Sequence, residues 1–237
     1  MPGRLLNRKN AAAARSETLA VQRAITRIKT LFHKPAEERY LADMTAKIAS
    51  GAKHSTLGAN IRDEAYTRVK AERWSRRMIE HGLKPTALCI EYGCGSLWAA
   101  EPIIRYLDRG RFYGIDLTDA FYRIGRARLA DLVAGKAVRL GVISGPVLRE
   151  IAALQPDFLY SRKVLSHVAE SALPRYLANI CSVMAPKTFA ILDNTPVIQD
   201  DGSITGRRHT VEAMRVHLPA GFVVEQDRWG AILRRQG

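Results

Sequence analysis

Ala87-Leu88-Cys89-Ile90-Glu91-Tyr92-Gly93-Cys94-Gly95-Ser96 is the stretch on which the reading of this chain turns. Its first six residues form a short, mostly apolar run of the kind that makes a buried strand. Glycines follow at Gly93 and Gly95, and a helical pattern runs from about Trp98 to Leu107. Glycines between a strand and a helix allow a tight turn and close approach of backbone to a ligand. The helix N-terminus behind them offers free N–H groups. The next strand, Phe112-Tyr113-Gly114-Ile115, ends at Asp116, 23 residues after Gly93. A carboxylate in that place can accept hydrogen bonds from two ribose hydroxyls. Strand, glycine turn, helix, strand and terminal acid together point to a cofactor of the adenosine type.

The alternation continues outward from this unit. Helix is expected over Asp119 to Ala134, strand over Ala137 to Ile143, and a short helix after Pro146. Phe158 to Ser161 reads as a fourth strand, and Ala169 to Met184 as a helix with Leu173, Tyr176, Leu177 and Ile180 on one face. Thr188 to Leu192 is a fifth strand, Thr210 to Leu218 a helix, and Phe222–Gln226 with Ala231–Leu233 a closing hairpin. Strands alternating with helices make parallel sheets with right-handed crossovers. Such sheets bind ligands beyond the carboxyl ends of their strands. The fold class is therefore α/β, a Rossmann-like domain over residues 83–237. Residues 1–82 form a basic helical extension or lid. Within it, stripes from Ser16 to His33, from Pro35 to Gly51 and from Asn60 to His81 predict three helices.

Two cofactor classes fit a glycine turn and an acid. A dinucleotide loop needs a third glycine beneath its pyrophosphate, and counting from Gly93 that position holds the bulky Trp98. The strand also ends in an acid, Glu91, which repels a pyrophosphate and suits a cofactor bearing an ammonium group. Both features favour S-adenosylmethionine.

Glu91-Tyr92-Gly93-Cys94-Gly95 resembles the first motif of the class I S-adenosylmethionine-dependent methyltransferases, ExGxG. Tyr113-Gly114-Ile115-Asp116 resembles their second-strand acidic motif. Asp157 to Ser161 with Val164 to Val168 is similar to their fourth-strand region, and Leu218 to Phe222 to the approach to their sixth strand. The likeness spans roughly residues 75–237. It implies a seven-stranded, mostly parallel sheet in the order 3-2-1-4-5-7-6. It also implies Glu91 near the methionine amino group, the backbone of Gly93, Cys94 and Gly95 against the methionine part, and Asp116 on the ribose. Leu117 and Ser161 complete the expected cofactor-binding set. Three positions depart from the family: Leu97 stands where a third glycine is common, Pro186-Lys187 where Pro-Gly is usual, and Ile143-Ser144 where many members carry an acid for the adenine amine.

Methyl transfer to a hydroxyl needs an aligned nucleophile and a base to take its proton. His167, a few residues beyond strand four, is the candidate catalytic base, because an unperturbed imidazole titrates near neutrality. Asp193-Asn194 ends strand five. In catechol-type members such a pair helps hold magnesium with an aspartate ending strand four, but the resemblance sets Arg162 in that place, where a cation repels a metal. No metal is therefore expected. Arg162 and Asn194 are candidate substrate-binding residues. The Pro-x-x-Tyr motif of amino-methylating nucleic-acid enzymes is absent, and neither Cys94 nor Cys181 has the flanks of a cytosine-5 nucleophile.

Composition bounds the rest. The chain has 237 residues and 47% hydrophobic content, so it can bury a sizeable core. Three cysteines make no disulfide scaffold, and no apolar run reaches the length of a membrane span. No signal-peptide core follows the start, which leads to an expected cytoplasmic location. The net charge of +14 is uneven: residues 1–86 carry 18 Lys and Arg against 8 Asp and Glu. The expected activity is S-adenosylmethionine-dependent O-methylation of a small-molecule or glycan acceptor, the basic helices covering the site. Two alternatives stay open at this point. One is an RNA methyltransferase gripping phosphates with those helices. The other is a cofactor-binding partner docked peripherally on a membrane through residues 15–34.

Overall fold

The structure, a computed structural model, describes residues 36–50, 64–194, 197–198, 204–205 and 209–236. Cα packing divides the chain into Met1–Tyr40 and Leu41–Gly237. The expected helix from Ser16 to His33, and with it the 15–34 segment, lies outside the described residues. Two helices precede the sheet: α1, Ala36–Ala49, and α2, Glu64–Glu80.

The sheet holds seven strands: β1 Cys89–Tyr92, β2 Phe112–Asp116, β3 Arg139–Val142, β4 Phe158–Ser161, β5 Phe189–Leu192, β6 Phe222–Asp227 and β7 Gly230–Arg235. Their order is β3-β2-β1-β4-β5-β7-β6, as the family pattern implies. β1 through β5 pair in parallel, and β7 runs antiparallel to both β5 and β6. β1, β2 and β4 are buried at every residue, which is why they read as unbroken apolar runs. The ladder sets Glu91 beside both Gly114 and Tyr160.

The crossovers are α3 Ala100–Tyr106, α4 Asp119–Arg128, α5 Ala130–Gly135, α6 Gly145–Ala153, α7 Leu173–Val183 and α8 Val211–His217. The expected single helix over Asp119 to Ala134 is two. It breaks at Leu129, whose φ of −112° and ψ of 29° are not helical while its side chain is buried. Hydrophobic spacing carries no signal for that break. The expected helix from Ala169 starts instead as a 3-10 turn, and α7 proper begins at Leu173 with Pro174 in its first turn. A two-residue strand pair, Val197–Ile198 with Ile204–Thr205, was not anticipated.

One apolar cluster joins α2 to the sheet. Trp74, Met78 and Leu83 pack with Cys89, Phe158, Tyr160 and Ile191, and with Ile103 and Ile104 of α3. The end of α2 is tied down as well, His81 Nε2 lying 3.3 Å from Asp227 Oδ2 and its ring stacking on Phe189. This helix shares the core of the compact unit Leu41–Gly237, although it precedes residue 83. On the opposite face of the sheet, α7 lays Tyr176 against Tyr92. Lys187, one of the departures from the family pattern, pairs with Asp157 at 2.8 Å, and Asp157 in turn accepts from the Leu88 backbone N–H. Among the described residues no helix is long and apolar enough to cross a membrane.

Candidate active site

Glu91 and Asp116 occupy adjacent strands, with the glycine loop between them. The loop is wired to β2. The N–H groups of Gly93 and Cys94 both donate to the Ile115 carbonyl, at 2.7 and 3.1 Å. The Gly95 N–H donates to Asp116 Oδ2 at 2.6 Å, and the Leu117 N–H to Asp116 Oδ1 at 2.7 Å. Asp116 therefore holds the loop in shape while it sits where a ribose acceptor is expected. Gly93 has φ +84°, and a Cβ there would come within 2.2 Å of Val164 Cγ2. Only glycine fits that position. Cys94 turns its side chain inward against Gly114, so its part in the loop is backbone and packing.

Leu97 keeps the glycine backbone without being glycine, with φ +61°. That conformation costs about 1–2 kcal/mol. Its fully buried side chain offsets the cost, since burying a leucine contributes about 1.5–3 kcal/mol. Gly125 supports the loop from outside. A Cβ on it would lie 2.2 Å from the Ser96 carbonyl oxygen, so α4 approaches the loop backbone only because residue 125 has no side chain. Sequence reading missed Gly125, because its partner is twenty-nine residues away in the chain.

The electrostatics of the two acids follow from burial. Burial pushes Glu91 from the ordinary 4.5 up to about 8, against the downward pull of the Tyr160 hydroxyl and Arg162, and the nearby Asp116 adds to the rise. Burial raises Asp116 from 3.8 to about 6, opposed by the Gly95 and Leu117 N–H groups. The Tyr160 hydroxyl is near enough to act on Glu91, yet neither it nor Glu91 Oε2 makes a hydrogen bond of good geometry, and Trp74 Nε1 is buried with none. A buried polar atom left unpaired costs about 1–3 kcal/mol. Several in one place mark a spot shaped for something other than stability.

Around the mouth the expected residues separate. The Ser161 hydroxyl donates to the Tyr92 carbonyl at 2.8 Å and accepts from Tyr176 at 2.7 Å, so it locks β4 to β1 and α7. The Asn194 amide donates to Gln226 Oε1 at 3.1 Å and to the His209 carbonyl at 3.4 Å, binding the end of β5 to its neighbours. Arg162 is half-buried, its guanidinium 5.8 Å from the Trp74 ring centre. His167 ends a 3-10 turn after β4 and is exposed. His209, which the sequence did not single out, is buried and its Nε2 meets the Val168 carbonyl at 2.8 Å. It pins the segment that follows His167. Ser144, where an adenine-binding acid is common, is exposed and makes no side-chain capping bond. Among the described residues no three His, Cys, Asp or Glu side chains gather as a metal site.

The comparisons bear on the architecture. No family model matches the sequence, and no curated protein matches it. Solved structures do match. Magnesium protoporphyrin IX methyltransferase from Synechocystis PCC 6803, with bound SAH, aligns over 70% of this chain and 82% of its own at 15% identity, with a TM-score of 0.50. The pyocyanin biosynthetic protein PhzM aligns over 82% of this chain and 68% of its own at 17% identity, with a TM-score of 0.51. The fold is that of the class I methyltransferases. Within that fold the ExGxG loop, the acid ending β2 and the antiparallel β7 all fall at the positions the resemblance implies.

Proposed function

We propose that this protein is an S-adenosylmethionine-dependent methyltransferase acting on a small-molecule acceptor at oxygen. The observation that carries the reading is the buried Glu91 carboxyl, with no well-aligned hydrogen bond to its Oε2, beside a glycine loop whose other wall is Asp116. These residues fit the cofactor. An entering ammonium gives the buried Glu91 the counter-charge that lets it ionise, Asp116 presents its carboxyl oxygens to a ribose, and Gly93, which admits no side chain beside Val164, keeps the loop in shape. Bound there, S-adenosylmethionine supplies an electrophilic methyl group on a sulfonium sulfur.

The chain's own residues supply position and proton handling. Trp74 and Met78 of α2 cover one face of the sheet and keep water from its core. His167 serves as the general base for the acceptor hydroxyl, from its exposed place at the end of the turn that follows β4. Arg162 stands where catechol-type members carry a metal ligand, so the reaction runs without a metal. Asn194 and Ser161 act as positioning residues through the hydrogen bonds described above.

A single assay tests these roles once an acceptor is found. Turnover is expected to survive EDTA and to fall by about 10²-fold or more in His167→Ala, with unchanged cofactor affinity. Retained turnover in that variant removes His167 as the base, and a strong loss on chelation contradicts the metal-free reading.

A further inference from the structure

The side chains of α2 and the ends of β4 and β5 bring arginines together beside the cofactor loop. Trp74 and Arg77 lie three residues apart on α2 and so share a face. The Arg77 guanidinium stacks 3.6 Å from the centre of the Trp229 ring, which Arg228 also approaches at 4.4 Å. Trp229 belongs to the turn between β6 and β7, and β7 starts beside Leu192 at the carboxyl end of β5. Arg162 follows β4 and lies over the Trp74 ring. Among the described residues none of Arg73, Arg77 and Arg162 forms an ion pair. Arg77 Nε and Trp74 Nε1 are buried donors without an acceptor.

We propose that the methyl acceptor carries an anionic group, a carboxylate or a phosphate, which docks on Arg77 and Arg162 with Trp74 Nε1 as a further donor. The inference rests on the methyltransferase reading and narrows its substrate class. Stacking on Trp229 fixes the plane of the Arg77 fork, and a fixed planar fork matches a carboxylate or phosphate edge. Charge agrees with the geometry. The proton on Arg77 is held less firmly than usual, through burial first and then through Arg73, with Arg162 adding to the effect; Asp193 and Glu80 pull the other way. An incoming anion relieves the mutual repulsion of the three cations. It also gives two buried donors their missing acceptor, which a neutral acceptor cannot do as well.

Position supports the same assignment. Asp116 ends β2 and Glu91 lies on β1, so a cofactor held by both lies along β2 and β1. The acceptor must then approach from the β4 and β5 side, where Arg162 and Arg77 stand.

Isothermal titration of the full chain loaded with S-adenosylhomocysteine tests the proposal, with inorganic phosphate and benzoate as separate probes. At least one probe is expected to bind the wild type, and the stronger of the two identifies the acceptor's anion. Affinity for it is expected to fall at least tenfold in Arg77→Gln and in Arg162→Gln, and less in Arg77→Lys. The unfolding temperatures of both glutamine variants control for misfolding. Binding of S-adenosylhomocysteine with no binding of either anion, or anion binding as tight in both glutamine variants as in the wild type, overturns this proposal alone. Failure to bind S-adenosylhomocysteine overturns the underlying methyltransferase reading and this inference with it.

Discussion

Glu91 and Asp116 are carboxyls that the fold keeps away from water, and the consequence is a stability that depends on pH. Both hold their protons to higher pH in the folded chain than in the unfolded one. The stability they contribute is complete below the unfolded carboxylate range. It is lost as pH rises through the folded values, by about 6 for Asp116 and about 8 for Glu91. Between pH 6 and 8 the loss belongs to Glu91 and amounts to about 1.4 kcal/mol per pH unit. Urea unfolding of the ligand-free chain is expected to show that slope in the wild type and to lack it in Glu91→Gln. Equal slopes in the two proteins would show that Glu91 is already ionised. The identity of both acids was legible in the sequence, because motif spacing puts them at strand ends. Their wiring was not. Nothing in the spelling of Gly93-Cys94-Gly95 says that its three N–H groups are spent on Ile115 and Asp116.

At the scale of elements, the central strands could be read because each is a short apolar run buried along its whole length. Helix ends were harder. The break at Leu129 depends on where α4 and α5 meet the sheet, and apolar spacing runs through it undisturbed. Gly125 shows the same limit in sharper form. Local propensity favours alanine over glycine inside a helix by about 1 kcal/mol, which predicts that Gly125→Ala stabilises the chain. The packing predicts the reverse. A Cβ at 2.2 Å from the Ser96 carbonyl and 2.9 Å from Leu97 Cβ meets backbone that cannot rotate away. Overpacking of this kind costs about 1–3 kcal/mol. Gly125→Ala is therefore expected to unfold at lower denaturant and to bind cofactor more weakly, since α4 and the loop must part. A variant more stable than the wild type would mean that the loop is not braced by this helix. His209 escaped for a related reason. A lone histidine carries no pattern, and its partner, the Val168 carbonyl, is supplied by the tertiary fold alone.

For the whole molecule, the uneven charge looked at first like a property of the leader. Part of it belongs elsewhere. α2 contributes Arg73 and Arg77 to the compact unit itself, where Arg77 feels the charges of Arg162 after β4 and Asp193 after β5. The basic character thus belongs in part to the side of the site where we propose the acceptor docks, and it suits an anionic small molecule as naturally as a nucleic acid. Sheet order, the antiparallel last strand and the loop with its two acids form one arrangement, and its use is the central claim. Titration of S-adenosylhomocysteine into the full chain tests it most directly. We expect one site per chain and at least tenfold weaker binding in Asp116→Ala, which loses the carboxyl that shapes the loop and that we propose receives the ribose. No binding to the wild type, or undiminished binding to Asp116→Ala, would contradict a cofactor held between Glu91 and Asp116.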